Sequence, residues 1–192
     1  MLKSLFVSEV RVKTLRVLLT NPAKAFHVRA LVRAVETEIN AIRRELLRLT
    51  SIGLVRKRPS GNRVYYNVNT ASQYYPELLS LLAKEYGLGA EIIKNSKELG
   101  DVRFAVLARG FSRGREYSVL DVDLFVVGTV NLPVLEAIVD KIQKELKREI
   151  NYSVMGEDEF TFRKRRNDQF VGKMLSQSRT MLIGDEEAFC AI

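Results

Sequence analysis

One cysteine, one histidine and four prolines are spread over 192 residues, and each scarcity removes a class of protein. The lone Cys190 forms no intramolecular disulfide, so the chain reads as one suited to a reducing cytoplasm. With His27 as the sole histidine, too few Cys and His ligands exist for a zinc site. No apolar run approaches the roughly 20 residues of a membrane span, so no membrane partner is expected. The opening segment MLKSLFVSEVRVKTLRVLL is broken by Lys3, Glu9, Arg11, Lys13 and Arg16, so it lacks the apolar stretch of a signal peptide. No tract is of low complexity, and a composition 46% hydrophobic and 28% charged is that of a globular chain. Its length suits one large domain or two small ones.

The net charge of +8 is unevenly placed. Residues 1–90 hold 15 Lys and Arg against 6 Asp and Glu, a net of +9, whereas residues 91–192 hold 16 against 17, a net of −1. A basic domain over 1–90 is expected to meet a polyanion, and a near-neutral domain over 91–192 to do something else.

The first half reads as three helices and a hairpin. Ser8 is placed to cap a helix running to about Thr20, with Val12, Leu15, Leu18 and Leu19 inward and Arg11, Lys13 and Arg16 outward. Asn21-Pro22 breaks it. A second helix covers Val28 to Val35, with Val28, Leu31, Val32 and Val35 inward, and Glu36-Thr37-Glu38 makes a turn. A third helix, about Glu38 to Ser51, carries the apolar stripe Ile39, Ile42, Leu46, Leu49. Thr37, Asn40, Ala41, Arg44 and Arg48 fall on the opposite face, with Arg43 beside them. Arg on guanine and Asn on adenine are the usual base-edge pairings in a major groove, although a merely solvated helix face has the same look. Gly53 ends this helix. The strand-prone runs Leu54–Arg58 and Arg63–Val68 then flank a Pro59-Ser60-Gly61-Asn62 turn, which predicts a hairpin. Arg56, Lys57, Arg58 and Arg63 make its tip basic, suited to a phosphate backbone or a minor groove; solubility of an edge strand is the plainer alternative.

The segment RRELLRLTSIGLVRKRPSGNRVYYNVN resembles the recognition helix and wing of winged-helix repressors of the ArsR/MarR-like type, a likeness covering residues 8–70. The resemblance implies a winged helix-turn-helix that binds double-stranded DNA through Thr37, Asn40, Ala41, Arg43, Arg44, Arg48, Lys57, Arg58, Arg63 and Tyr65. The metal-sensing cysteines of some members are missing, so no metal response is implied. A further helix, Glu77 to about Tyr86, presents Leu78, Leu81 and Leu82; Gly87 and Gly89 interrupt it before the pattern resumes over Ala90 to Leu99. In such repressors a helix here makes the dimer contact, which implies a homodimer on a two-fold site; a spacer between domains is the alternative.

From Asp101 strands and helices alternate. Strands are predicted over Val102–Leu107, Asp121–Val127 and Ile150–Met155, with a Gly- and Arg-rich turn at Arg109–Gly114. A helix over about Pro133 to Lys147 carries Leu135, Ile138, Val139, Ile142 and Leu146 on one face. Asp121 and Asp123, two apart on a strand, project from one face and together suit Mg2+, unless they are simply solvated acids at a strand end. The turn upstream could cradle a triphosphate through backbone amides and Arg113.

The run DVDLFVVG, with REINYSVMGEDEF and TMLIGDEEAF, resembles small members of the polymerase β-type nucleotidyltransferase superfamily over residues 101–190. That likeness implies a domain with a small mixed sheet, nucleotide contacts at Gly110, Ser112, Arg113 and Gly114, and metal-binding or catalytic roles for Asp121 and Asp123. Two departures stand out. The phosphate-gripping Gly-Ser falls on Arg109-Gly110, unless a one-residue deletion restores Gly110 as the glycine. The third acid falls on Asn151, and Glu149, of the same strand parity, lies roughly 6.6 Å further along.

The expected fold is therefore α+β in two domains. The expected function is sequence-specific DNA binding by a transcriptional regulator whose degenerate second domain senses a ligand or binds a partner protein. The alternative is an active nucleotidyltransferase that uses Mg2+ and a nucleoside triphosphate, antitoxin-like or modifying protein or RNA, and is targeted or autoregulated by the winged helix.

Overall fold

In the computed structural model, residues 1–114 and 121–191 are described. They form a mixed α/β protein with, among the described residues, eleven helices, a three-stranded antiparallel sheet and a four-stranded mixed sheet. Two compact units emerge, Met1–Leu82 and Ala83–Ile192. No helix among the described residues is long and apolar enough to cross a membrane.

The first unit begins with α1 (Leu2–Phe6) and α2 (Glu9–Leu19). Ser8 caps α2, its hydroxyl accepting from the Arg11 N–H at 3.2 Å. A two-residue strand β1 (Phe26–His27) leads into α3 (Val28–Val35), and α4 (Ile39–Ser51) follows. Helices α2, α3 and α4 pack mutually around Leu15, Leu18, Leu19, Leu31, Val35, Ile42, Leu46 and Leu49, all buried. Gly53, at φ 72°, turns the chain out of α4 in the left-handed region that glycine tolerates. Strands β2 (Val55–Ser60) and β3 (Arg63–Val68) form the hairpin, with Gly61 at φ 56° in a turn tighter than the four residues expected. The sheet order is β1-β3-β2, so Pro59, paired with Val64, sits on an edge strand where its missing N–H costs no ladder bond. Helix α5 (Tyr75–Glu85) buries Tyr75, Leu79 and Leu82. Leu79 rather than the expected Leu78 faces the core, because Tyr75, its hydroxyl bonded to the Leu19 carbonyl at 3.1 Å, sets the rotation of the helix.

The second unit opens with α6 (Gly87–Lys94), a helix running through both glycines expected to interrupt it and ending before Leu99. Gly89 is a packing residue: a Cβ there would stand 2.1 Å from the Ala83 carbonyl oxygen. Strand β4 (Gly100–Ala108), the short α7 (Arg109–Ser112) in place of the expected open turn, β5 (Leu124–Val130), α8 (Leu132–Leu146) and β6 (Tyr152–Met155) come next. Then come α9 (Glu157–Arg165), α10 (Gln169–Ser176), β7 (Arg179–Ile183) and α11 (Glu186–Cys190), none of which the strand-and-helix reading had delimited. The sheet order is β6-β5-β4-β7, parallel only between β5 and β6. Alternation along β4 and β5 feeds two cores. Ala105, Leu107, Leu124 and Val126 meet α6 and α8, whereas Phe104, Val106, Phe125 and Val127 meet Phe160, Val171, Met174 and Phe189 on the other face. Of the expected α8 stripe, Leu135, Ile138, Val139 and Ile142 are buried, but Leu146, in the last turn, is 50% exposed.

One expectation reverses in the first unit. Arg11, read as outward-facing, is half-buried and forms a two-pronged ion pair with buried Glu45 of α4, Nε to Oε2 at 2.8 Å and Nη2 to Oε1 at 3.2 Å. It also donates to the Phe6 carbonyl at 3.1 Å, tying α1, α2 and α4 together. That pairing raises the Arg11 pKa above its ordinary value, the Glu45 hydrogen bond being the main cause. Arg11→Ala, which leaves the buried Glu45 carboxylate its 3.3 Å contact to Arg48 but removes both bonds from Arg11, is expected to cost about 2–3 kcal/mol in urea denaturation. Arg48→Ala, removing a 3.3 Å contact to the same Glu45 from a 64% exposed side chain, should cost under about 1 kcal/mol. Equal losses in the two variants would refute this ranking.

Candidate functional site

Each unit carries a charged cavity. In the first, a groove of about 680 Å3 runs between α4 and the β2–β3 hairpin. Helix α4 supplies Ile39, Arg43 and Leu47, spaced i, i+4, i+8 so that they share a face. The hairpin supplies Asn62, Arg63, Val64 and Tyr66, β1 adds His27, and the first turn of α3 adds Val28 and Arg29. Its charged lining is three arginines, 29, 43 and 63, and no acid. His27 has a local duty there: its Nδ1 accepts from the Ala30 N–H at 3.2 Å, capping α3, and its ring meets Tyr65 edge-on at 6.0 Å.

Of the ten residues expected to contact DNA, Arg43 and Arg63 line this groove. Asn40 and Arg44 are exposed on an adjacent strip of α4, and Thr37 and Ala41 are half-buried. Arg48 leans toward Glu45. Lys57 and Arg58 are exposed on β2, opposite Tyr66 and Tyr65, and Tyr65 itself is half-buried. Sequence reasoning missed Arg29, Asn62, Tyr66 and two exposed apolar residues, Leu47 at 70% and Val64 at 39%. The signal lies in the i, i+4, i+8 spacing of Ile39, Arg43 and Leu47, but Ile39 also falls on the apolar stripe that reads as core. In the structure it is only half-buried.

The second cavity, of about 320 Å3, lies at the ends of β4 and β5. Strand β5 begins at Leu124, so Asp121 and Asp123 precede it instead of standing on it. Asp123 still joins the ladder through its backbone, its N–H donating to the Asn151 carbonyl at 2.7 Å and its carbonyl accepting from Ala108 at 2.8 Å. The two carboxylates line one cavity but engage different cations. Asp123 Oδ1 accepts from Arg148 at 3.4 Å and its Oδ2 from the Asn151 N–H at 3.1 Å. Asp121, its side chain 63% exposed, pairs with Lys173 of α10 at 3.3 Å. Arg148 is itself stacked 4.5 Å above the Phe111 ring. Burial pushes the Asp123 carboxyl above its ordinary pKa, and the Asn151 N–H and Arg148 pull it only partway back.

Among the expected nucleotide contacts, Gly110 and Arg113 line the cavity, and Arg109, Arg148 and Lys173, which sequence reasoning did not single out for it, join them. Ser112 and Gly114 do not. The Ser112 hydroxyl is buried and has no hydrogen-bond partner among the described residues. Asn151, where the resemblance leads one to expect a third acid, uses its side-chain amide to donate to the Asp121 carbonyl at 3.0 Å, and Glu149 is exposed. Among the described residues no three His, Cys, Asp or Glu side chains are grouped to hold a metal ion. A donor set of two acids, each bonded to a cation, with an amide in place of the third does not fit a resident Mg2+. Comparison with family models, curated proteins and solved structures finds no match.

Arg148→Met tests the balance around Asp123. A group whose folded pKa is raised lends stability that is fully present below the unfolded pKa and lost as pH rises through the folded value. Without Arg148 the Asp123 value rises further, so the loss grows. The variant should be less stable than the parent by about 1–2 kcal/mol near pH 7, with the deficit shrinking as pH falls toward about 4. Urea titrations at the two pH values check this, and a deficit that does not change with pH contradicts it.

Proposed function

We propose that this chain is a sequence-specific double-stranded DNA-binding protein, a transcriptional regulator. In this reading the first unit is a winged helix-turn-helix, and the second is a nucleotidyltransferase-like module that senses a ligand or binds a partner protein. One observation carries it: the groove between α4 and the hairpin has arginine as its only charged lining, in a unit holding the whole positive excess of the chain. Such cations replace the counterions condensed on a duplex, which supplies affinity without reading sequence. Helix α4 is about 20 Å long, a length that suits a major groove, and a basic hairpin beside it suits contact with the flanking backbone. Exposed Asn40 and Arg44 offer two-pronged partners for adenine and guanine, while exposed Leu47 and Val64 offer an apolar surface for the thymine methyl.

A working nucleotidyltransferase has one observation in its favour, that Asp121 and Asp123 line the same cavity. The ion pairs on both acids and the amide at Asn151 weigh against it.

Binding of the full chain to a duplex of about 30 base pairs should weaken steeply with salt. Arg63→Ala should lower affinity for all sequences alike and reduce the salt slope by about 1, whereas Arg44→Ala should cost about 1–3 kcal/mol at its preferred site and relax that preference. Absence of salt-sensitive association with any duplex sinks the proposal. A separate check addresses Leu47: replacing thymines of a selected site by uracil should weaken the parent, by up to about tenfold, and leave Leu47→Ala indifferent. If both proteins respond equally, Leu47 is not the methyl contact.

A further inference from the structure

The cavity at the ends of β4 and β5 has the makings of an anion site rather than a metal site. Four cations line it, Arg109, Arg113, Arg148 and Lys173, against two acids, Asp121 and Asp123. The described lining thus carries two more positive than negative groups, the charge complement of a phosphate dianion. The acids are directed at cations of the wall: Asp123 holds Arg148 and Asp121 holds Lys173. Arg148 is fixed further by the ring of Phe111 beneath it. A guanidinium held by an acid and an aromatic ring is fixed in direction, and a planar fork of set direction suits recognition of a phosphate. Arg109 adds a second oriented fork. Its Nη2 donates to the Arg179 carbonyl at 3.3 Å, and its buried Nε has no hydrogen-bond partner among the described residues. At about 320 Å3 the space exceeds what a phosphate group alone fills and is of small-ligand size.

We propose that this cavity binds a small phosphomonoester without a divalent metal, its phosphate held by Arg148 and Lys173 with Arg109 and Arg113 alongside. The proposal rests on reading the second unit as a ligand-binding module, and it is independent of whether the first unit binds DNA. Wall cations here do the work a metal would do elsewhere, neutralising the phosphate, and Asp123 orients the partly buried Arg148.

Calorimetric titration of the full chain with inorganic phosphate, ribose 5-phosphate and adenosine monophosphate, each in EDTA and in Mg2+, tests this. At least one should bind in EDTA, and Mg2+ should not tighten it. If inorganic phosphate binds as well as the esters, phosphate itself is the ligand and the ester assignment is wrong. Lys173→Met should weaken binding at least tenfold. Asp121→Asn, at an exposed position that tolerates change, separates the two kinds of site by sign. It should tighten metal-free binding about three- to tenfold by removing a like charge, whereas a metal site would lose affinity. No binding of any probe, binding only with Mg2+, or weaker binding by Asp121→Asn overturns the proposal. Melting curves establish that each variant is folded. Duplex binding measured on the same preparation keeps the outcomes apart: intact DNA association with no phosphate binding removes this inference alone.

Discussion

The buried carboxylate of Glu45 is the constraint on which the first unit turns. An acid out of water is tolerated only when paired and hydrogen-bonded, and Arg11 supplies two bonds to it from α2 while reaching the end of α1 with a third. Three helices are thereby held to one arrangement. The same burial shapes the surface, because Glu45 is the only acid within α4. With it turned inward, the helix shows solvent Asn40, Arg43, Arg44, Leu47 and Arg48 and no negative charge. The one carboxylate within the helix thus serves as a strut, and the solvent face of α4 is left without an acid.

In the second unit the corresponding constraint is a sheet covered on both faces. Over Phe104–Leu107 and Leu124–Val127, strands β4 and β5 send alternate side chains into two apolar cores, and no charge is admitted along those stretches. Polar chemistry is pushed to the strand ends, where Ala108, Asp123 and Asn151 exchange backbone bonds and where α7 and α10 bring in arginine and lysine. The site lies where buried apolar packing gives way to backbone groups and to cations from several elements.

What the sequence could disclose follows the same physics. Helices α2, α3 and α4 and the hairpin were legible because their apolar residues recur at helical or strand spacing and because Ser8, Pro22, Gly53 and Gly61 mark the ends. The mixed character of the fold was legible for the same reason. Three-dimensional pairings were not. Arg11 and Glu45 are 34 residues apart, and nothing local says that a charged residue on an amphipathic helix turns inward to meet another. Gly89 reads as a helix breaker until the Ala83 carbonyl is seen against it. In the second cavity, Lys173 lies 52 residues from Asp121, and Arg148 sits outside the motif that drew attention to the acids. An Asp-x-Asp pattern reports two carboxylates near each other and is silent on what neutralises them.

That silence matters for how the aspartates are understood. A cavity meant for an anion would be more positive without Asp121 and Asp123, so their presence needs a physical reason. A lone arginine on a solvated wall samples many rotamers and surrenders that freedom when it grips a ligand. Asp123 accepts from Arg148 while the Phe111 ring supports the guanidinium from below, so the freedom is already lost before any ligand arrives. The acid lowers the field slightly and fixes its direction greatly. The trade favours the acid only where the cation it orients is partly buried, as Arg148 is at 21% exposure. At Asp121, where the side chain is 63% exposed and Lys173 is half-exposed at 47%, the orienting gain is small and the electrostatic loss remains. The two carboxylates, identical in the motif, therefore carry opposite weight in the site: one prepares it and the other restrains it.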